Sequence, residues 1–151
     1  INLSKSMMLS TRELIKKLSL GILDEVGIQI ALDDLIVTWH KRNLKVNLHY
    51  NLDHNTLRKI SKDHHSHIYR IVQEALTNIS KHANPLNVSI MFKTLLQGKI
   101  KIEIINDGLK KKTKDTSGMG LSGIQERVAQ MQGQIKVTSS KLFKIIILLK
   151  H

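Results

Sequence analysis

The chain has no cysteine, so a disulfide framework and a thiolate metal site are both excluded. Aromatics are scarce, at 3%: Trp39, Tyr50, Tyr69, Phe92 and Phe143 are all there are. That leaves no evident platform on which nucleic-acid bases could stack. Long apolar runs are missing too. The longest unbroken one, Ile145 to Leu149, is far short of the roughly 20 residues that span a bilayer. No signal-peptide pattern opens the sequence, which begins at Ile1. A reducing, cytoplasmic setting is therefore expected, with membrane contact only through segments outside this chain. Acids are few, 12 against 24 lysines and arginines, for a net charge of +12. Such a field suits a polyanionic partner such as a nucleotide, a nucleic acid or an acidic membrane. The lysines are spread along the whole chain rather than massed on one segment, so charge alone says little for nucleic acid.

What is present, 151 residues of which 41% are hydrophobic, fits one domain with a sizeable core, or one domain plus a short appendage. Residues 1–20 read as a helix through Met7, Met8, Leu14, Ile15 and Leu18, followed by a linker, GILDEVG, between Gly21 and Gly27. A second amphipathic helix is predicted from Ile28 to about Lys41. Alternation at Val46, Leu48, Tyr50 and Leu52 predicts a strand. The polar segment DHNTLRKISKDHHSH leads into the helix that follows, with Asp63 as its expected cap.

That helix, IYRIVQEALTNISKHA, organises the rest. Ile68, Ile71, Val72, Ala75, Leu76 and Ile79 recur at three- and four-residue steps and predict one buried stripe. Arg70, Glu74, Asn78, Lys81 and His82 fall at similar steps along the polar side. A solvated face and a metal or phosphate site both fit that pattern. Asn84-Pro85 stops the helix. Strands are predicted over about Leu86–Thr94 and Lys99–Asn106, joined by a hairpin turn at Gln97-Gly98. Residues 107–118 read as a long mobile loop. A third helix is predicted from Leu121 to Met131, ending at Gly133, and then strands Gln134–Ser139 and Leu142–Leu149.

Three further groups carry possible chemistry. Gly118, Met119, Gly120, Leu121, Ser122 and Gly123 open the third helix, where free amides favour phosphate. No strand leads directly into them, as a dinucleotide fold requires. Asn106-Asp107-Gly108 closes a strand and reads first as a turn. His64, His65 and His67 stand close together, but without a carboxylate or cysteine at a partner spacing they read as a solvated loop.

The order of these pieces resembles the GHKL ATPases, and within them the catalytic domain of bacterial sensor histidine kinases of the nitrate- and hexose-phosphate-sensor type. YRIVQEALTNISKHA is similar to that group's N box and GMGLSGIQERVAQMQGQI to its G2 box. LGILDEVGIQIALDDLIVTWHKR resembles the segment joining the dimerisation helices to the ATPase domain, so that the resemblance covers about residues 12–150. It implies an α/β two-layer sandwich, a mixed sheet of about five strands covered on one face by helices. Residues 1–23 would be the end of a dimerisation helix and linker, and 24–151 the ATP-binding domain. Asn78 would hold Mg2+, Glu74 would act near the γ-phosphate as the catalytic group, Lys81 would contact phosphate, and His82 the ribose or base edge. Asn106, Gly108, Gly118, Met119, Gly120, Leu121 and Gly123 would complete the ATP site. The implied activity is phosphoryl donation to a histidine in a dimerisation region, for relay to a response regulator, in a homodimer without nucleic acid.

The sequence departs from the family pattern in places. Asn106 stands where the DxGxG box has its adenine-reading Asp, Lys110 replaces that box's second glycine, and Leu142-Phe143 replaces Gly-Thr. No phosphoacceptor box is visible. These departures point to a competing expectation, a GHKL module that has lost catalysis and serves in docking or regulation. The charge points to another, a basic nucleic-acid-binding domain.

Overall fold

Alternating side chains and helical stripes sort this chain into a sheet and a layer of helices. The computed structural model describes residues 26–108 and 121–150, together with Leu14, Gly21 and Leu23. Helix α1 covers residues 26–41. Strand β1 (Asn47–Leu52) and a short helix α2 (His54–Arg58) follow, then the long helix α3 (Lys62–His82). Strands β2 (Asn87–Thr94) and β3 (Ile100–Asn106) come next, then helix α4 (Leu121–Gln130) and strands β4 (Gln134–Ser139) and β5 (Phe143–Leu149). The five strands lie in the order β1-β2-β3-β5-β4. The β1–β2 pair is parallel and the other pairs are antiparallel, so the sheet is mixed as expected.

Along β2, β3 and β5 every second residue is buried, which gives the sheet one core face. Ile90, Phe92, Ile102, Ile104, Ile145 and Ile147 meet Leu32 and Ile36 of α1, Ile68, Ile71 and Leu76 of α3, and Ile124 and Val128 of α4. Deleting one such side chain costs about 2–5 kcal/mol, so this layer dominates stability. On the far side of α3 the Trp39 indole nitrogen donates to the Leu76 carbonyl (3.1 Å) and the Ser80 hydroxyl (2.8 Å), tying α1 to α3.

The predicted strands and third helix match those observed to within a residue. Three expectations change. The run DHHSH is not a loop but the first turns of α3, and the polar segment before it holds α2. Asp53 caps α2, its carboxylate accepting from the Thr56 backbone nitrogen at 2.8 Å. Asp63 is not the cap of α3; it lies in the first turn, where its charge favours the helix dipole, and Ser61 takes the cap position. Gly21 and Leu23 are helical rather than linker, and Gly27 lies within the first turn of α1, with a φ of 83° that suits glycine. The predicted helix over 1–20 and the loop at 107–118 fall largely outside the described residues.

Candidate functional site

Helix α3 ends where Ala83 turns extended and Asn84 precedes Pro85, which disfavours further helix. Lys81 and His82 occupy its last turn, which complements the negative end of the dipole. Its apolar stripe is buried as expected, and Arg70, Glu74, Asn78 and His82 lie half-buried beside it, with Lys81 exposed.

Two glycines fix what stands against this stripe. A Cβ on Gly123 would lie 2.9 Å from both carboxylate oxygens of Glu74, so the first turn of α4 presses directly on that side chain. A Cβ on Gly108 would lie 2.5 Å from the Pro85 nitrogen, so the end of β3 presses on the exit of α3. Residues 109–120, which join these two anchor points, lie outside the described residues, and Gly118, Met119 and Gly120 with them. Asn78, Lys81 and His82 fall on α3 between the anchors, a stretch of about 12 Å from Glu74 at the helical rise. The structure thus brings Gly123 against Glu74, and Gly108, bonded to Asn106, against the residues that follow His82 at the end of α3.

Asn106 is buried, at 3% exposure, and its amide nitrogen donates to the Gly108 carbonyl at 3.2 Å. Asp107, read from sequence as a simple turn residue, has a larger part. Its carboxylate accepts from the backbone nitrogens of Leu86 and Asn87, both at 2.9 Å, and from the Asn87 side chain at 2.6 Å. Burial alone would push that carboxyl up; the hydrogen bonds from Asn87 and Leu86 outweigh it and hold the group below its ordinary value. The tether therefore contributes fully above the ordinary carboxylate range and is lost as pH falls through the lowered value.

Around Glu74 the field is mixed. Burial raises the Glu74 carboxyl above its ordinary value, and the Arg127 charge opposes that without overcoming it. The same Arg127 charge reaches His67 and Arg70. Gly123 faces Glu74, and Arg127, one turn later on α4, acts on residues one and two turns earlier on α3. The two helices therefore run side by side in opposite directions. The Arg127 Nε and His67 Nδ1 atoms are buried without a hydrogen-bond partner. Arg127 was missed in the sequence, although its spacing of four from Gly123 marks the same helix face. A carboxylate with a raised pKa, an amide one turn on and basic groups at both ends can accept a proton, ligate a hard cation and neutralise phosphate.

His64, His65 and His67 sit in the first turns of α3, and the His65 ring bonds the Ile60 carbonyl at 3.2 Å. Among the described residues no group of three or more His, Asp or Glu is placed to hold a metal. A hollow of about 620 Å³, lined by His40, Leu44, His49, Ile105, Asp107 and Leu142 among others, opens on the other face of the sheet. We do not assign the chemistry there, because its one acid, Asp107, is already committed to the backbone of Leu86 and Asn87.

The family model for histidine kinase-, DNA gyrase B- and HSP90-like ATPases matches residues 63–150. The chain is 34% identical over 138 residues to the sensor histidine kinase ComP of Bacillus subtilis, covering 87% of this chain and 17% of that protein. It is 25% identical over 119 residues to the sensor histidine kinase LiaS of the same organism, covering 78% of this chain and 32% of that protein. The histidine kinase domain of the blue-light-activated kinase from Erythrobacter litoralis superposes with a TM-score of 0.64 at 16% identity, over 81% of this chain and 60% of that one. This chain belongs to the histidine kinase branch of the GHKL ATPase family, and its fold is that of a histidine kinase catalytic domain. It spans between about a sixth and a third of the length of the curated relatives named here.

The two glycine contacts differ in kind, and so do their expected effects. At Gly123 the nearest atoms belong to the mobile end of a side chain. Gly123→Ala should therefore leave stability within about 0.5 kcal/mol, as for substitutions that break no packing. It should displace the Glu74 carboxylate and slow phosphoryl transfer by more than it weakens nucleotide binding. Urea denaturation, calorimetry and a transfer assay on the same variant check this; an unchanged transfer rate would contradict the placement of Glu74.

Proposed function

We propose that this chain is the ATP-binding catalytic domain of a cytoplasmic part of a sensor kinase, donating the γ-phosphate of ATP to a histidine of a dimerisation region. The approach of Gly123, in the first turn of α4, to Glu74 carries this reading, because Asn78 stands one turn further along the same polar side of α3. The donor set fits the group: Asn78 offers an amide oxygen that a hard cation such as Mg2+ accepts, and no cysteine competes. Bound Mg2+ would supply charge neutralisation at the phosphates. Lys81 would add a point charge there, and His82 would face the sugar or base edge. Glu74, its basicity raised by burial, would orient or accept the proton of the incoming group. Gly118, Gly120 and Gly123 would let backbone close over the phosphates, with Met119 and Leu121 beside them. Asn106 and Gly108 would line the base pocket. Residues 24–151 would form this domain and 1–23 the end of a dimerisation helix. A homodimer and a response regulator are the partners that the motifs imply, and the narrower likeness to nitrate- and hexose-phosphate-sensor kinases rests on those motifs.

Incubating the chain with γ-labelled ATP, Mg2+ and a separate dimerisation fragment of the full-length protein tests this. Acid-labile phosphate should appear on the histidine of the fragment and not on this chain. Label on His64, His65 or His67 would overturn the assignment, and so would no label on either piece.

Asn106 tunes the same site. An amide accepts a neutral hydrogen bond from the adenine amino group and can also turn its NH2 to a guanine keto oxygen. A carboxylate would accept a charge-assisted bond, stronger by about 1 kcal/mol, which corresponds to somewhat less than tenfold in affinity. Asn106→Asp should therefore bind ATP several-fold more tightly and prefer it more strongly over GTP. The same change removes the donor to the Gly108 carbonyl and leaves a buried carboxylate facing that oxygen, so stability should fall by about 1–3 kcal/mol. Titration with both nucleotides and urea denaturation read the two effects; no gain in affinity or discrimination means that Asn106 does not face the base.

A further inference from the structure

The sheet has one face under the helices and one open, and charge divides unequally between them. The lysines of the five strands, Lys93, Lys101, Lys136 and Lys144, all fall on the open face by the strand registers. The one acid in those strands, Glu103, lies there too and is held by Lys101 at 2.8 Å. Glu103 is thus engaged by Lys101, and Lys93 has no acidic partner among the described residues. Lys93 and Lys101 stand directly opposite each other across β2 and β3. Two like charges so placed repel, Glu103 offsets one of them, and an anion lying over the pair would relieve the rest. Lys99 and Lys150, both exposed, extend the basic end of this face.

Apolar groups complete the pattern. Met91, Ile146 and Leu148 lie half-buried among the lysines on the same face. Beyond them projects the β2–β3 hairpin, where Gln97 and Gly98 take positive φ and Leu96 at the tip is 93% exposed. An exposed leucine on a tight turn, flanked by Lys93, Lys99 and Lys101, suits an interface that is anionic at the surface and apolar just beneath it. A single-stranded nucleic acid would be met by stacking aromatic groups, and the strand residues of this face include no Phe, Tyr or Trp. The exposed leucine favours lipid over a bare phosphate backbone.

We propose that the open sheet face and the β2–β3 hairpin dock on an anionic phospholipid bilayer. The contact goes beyond the kinase reading and does not depend on it. β3 runs seven residues from the hairpin to Asn106, so about 20 Å separates the docking end from the base pocket. Docking there leaves the nucleotide site clear of the lipid.

The test is co-sedimentation of the 151-residue chain with vesicles of phosphatidylcholine, alone or with a quarter phosphatidylglycerol. Binding should require the anionic lipid and weaken as salt is raised. Lys93→Glu/Lys101→Glu should lose on the order of tenfold or more in partitioning, since each lysine near such a surface contributes roughly fivefold. Lys41→Glu/Lys62→Glu makes the same change in net charge off this face and should partition nearly as the parent does. Leu96→Ser should weaken binding in low and high salt alike. Circular dichroism confirms folding, and Lys93→Ala, which relieves the like-charge pair, is the milder variant if the double one fails to fold. Equal loss in both double variants would show bulk charge rather than a docking face. That result, no anionic preference, or tighter capture by DNA or polyglutamate than by vesicles would overturn the proposal.

Discussion

Gly108→Ala is expected to destabilise the fold by about 1–3 kcal/mol, and to move the turn that would line the base pocket. The added Cβ would stand 2.5 Å from the Pro85 nitrogen, 2.7 Å from the Asn84 carbonyl carbon and 2.8 Å from the Asn84 nitrogen. All three are backbone atoms, so no side chain can swing aside. The backbone itself is tied. Asp107 holds Leu86 and Asn87 by their amide nitrogens, and the Leu86 carbonyl accepts from Asn47 at 2.7 Å at the head of the β1–β2 pairing. Relief at Gly108 therefore strains either the Asp107 tether or the start of the parallel pair. Urea denaturation measures the loss, and the nucleotide titration should weaken in the same variant. A variant as stable as its parent would contradict the close approach of the turn to α3.

How much of this was legible in the sequence depended on whether a residue's signal was local. The stripe of α3, the alternation of β2 and β3 and the hairpin at Gln97-Gly98 repeat over a few residues, and each was read to within a residue or so. The first turns of α3 were not, because Lys62 to His67 has no apolar stripe and its helix is held by its neighbours. α2 was hidden for the same reason, its cap from Asp53 to Thr56 buried in a polar run. Strand order was beyond local reading: β5 lies between β3 and β4, and only the assembled sheet shows that. In the site, the spacing of Glu74 and Asn78 was visible as one helix face. The grip of Asp107 on Leu86 and Asn87 was not, since it joins groups about 20 positions apart. Nor was the field of Arg127 on Glu74, which exists only because α4 lies against α3.

Asn78→Ala is expected to abolish Mg2+-dependent nucleotide binding while leaving the fold intact. Asn78 is half-buried on the polar side of α3, between the two anchor points, and it lies outside the hydrophobic core. Removing its amide opens no apolar cavity, so stability should change by no more than about 0.5 kcal/mol. What is lost is an oxygen ligand, and a small hard cation that demands close octahedral geometry tolerates such a loss poorly. The affinity of a nucleotide that depends on that cation should fall with it.

Calorimetric titration of the chain with ATP, with and without Mg2+, tests the kinase reading most directly. The expected result is saturable heat for one nucleotide per chain that requires Mg2+ in the parent and disappears in Asn78→Ala. Absence of heat in the parent, or heat that neither Mg2+ nor Asn78 affects, would contradict it.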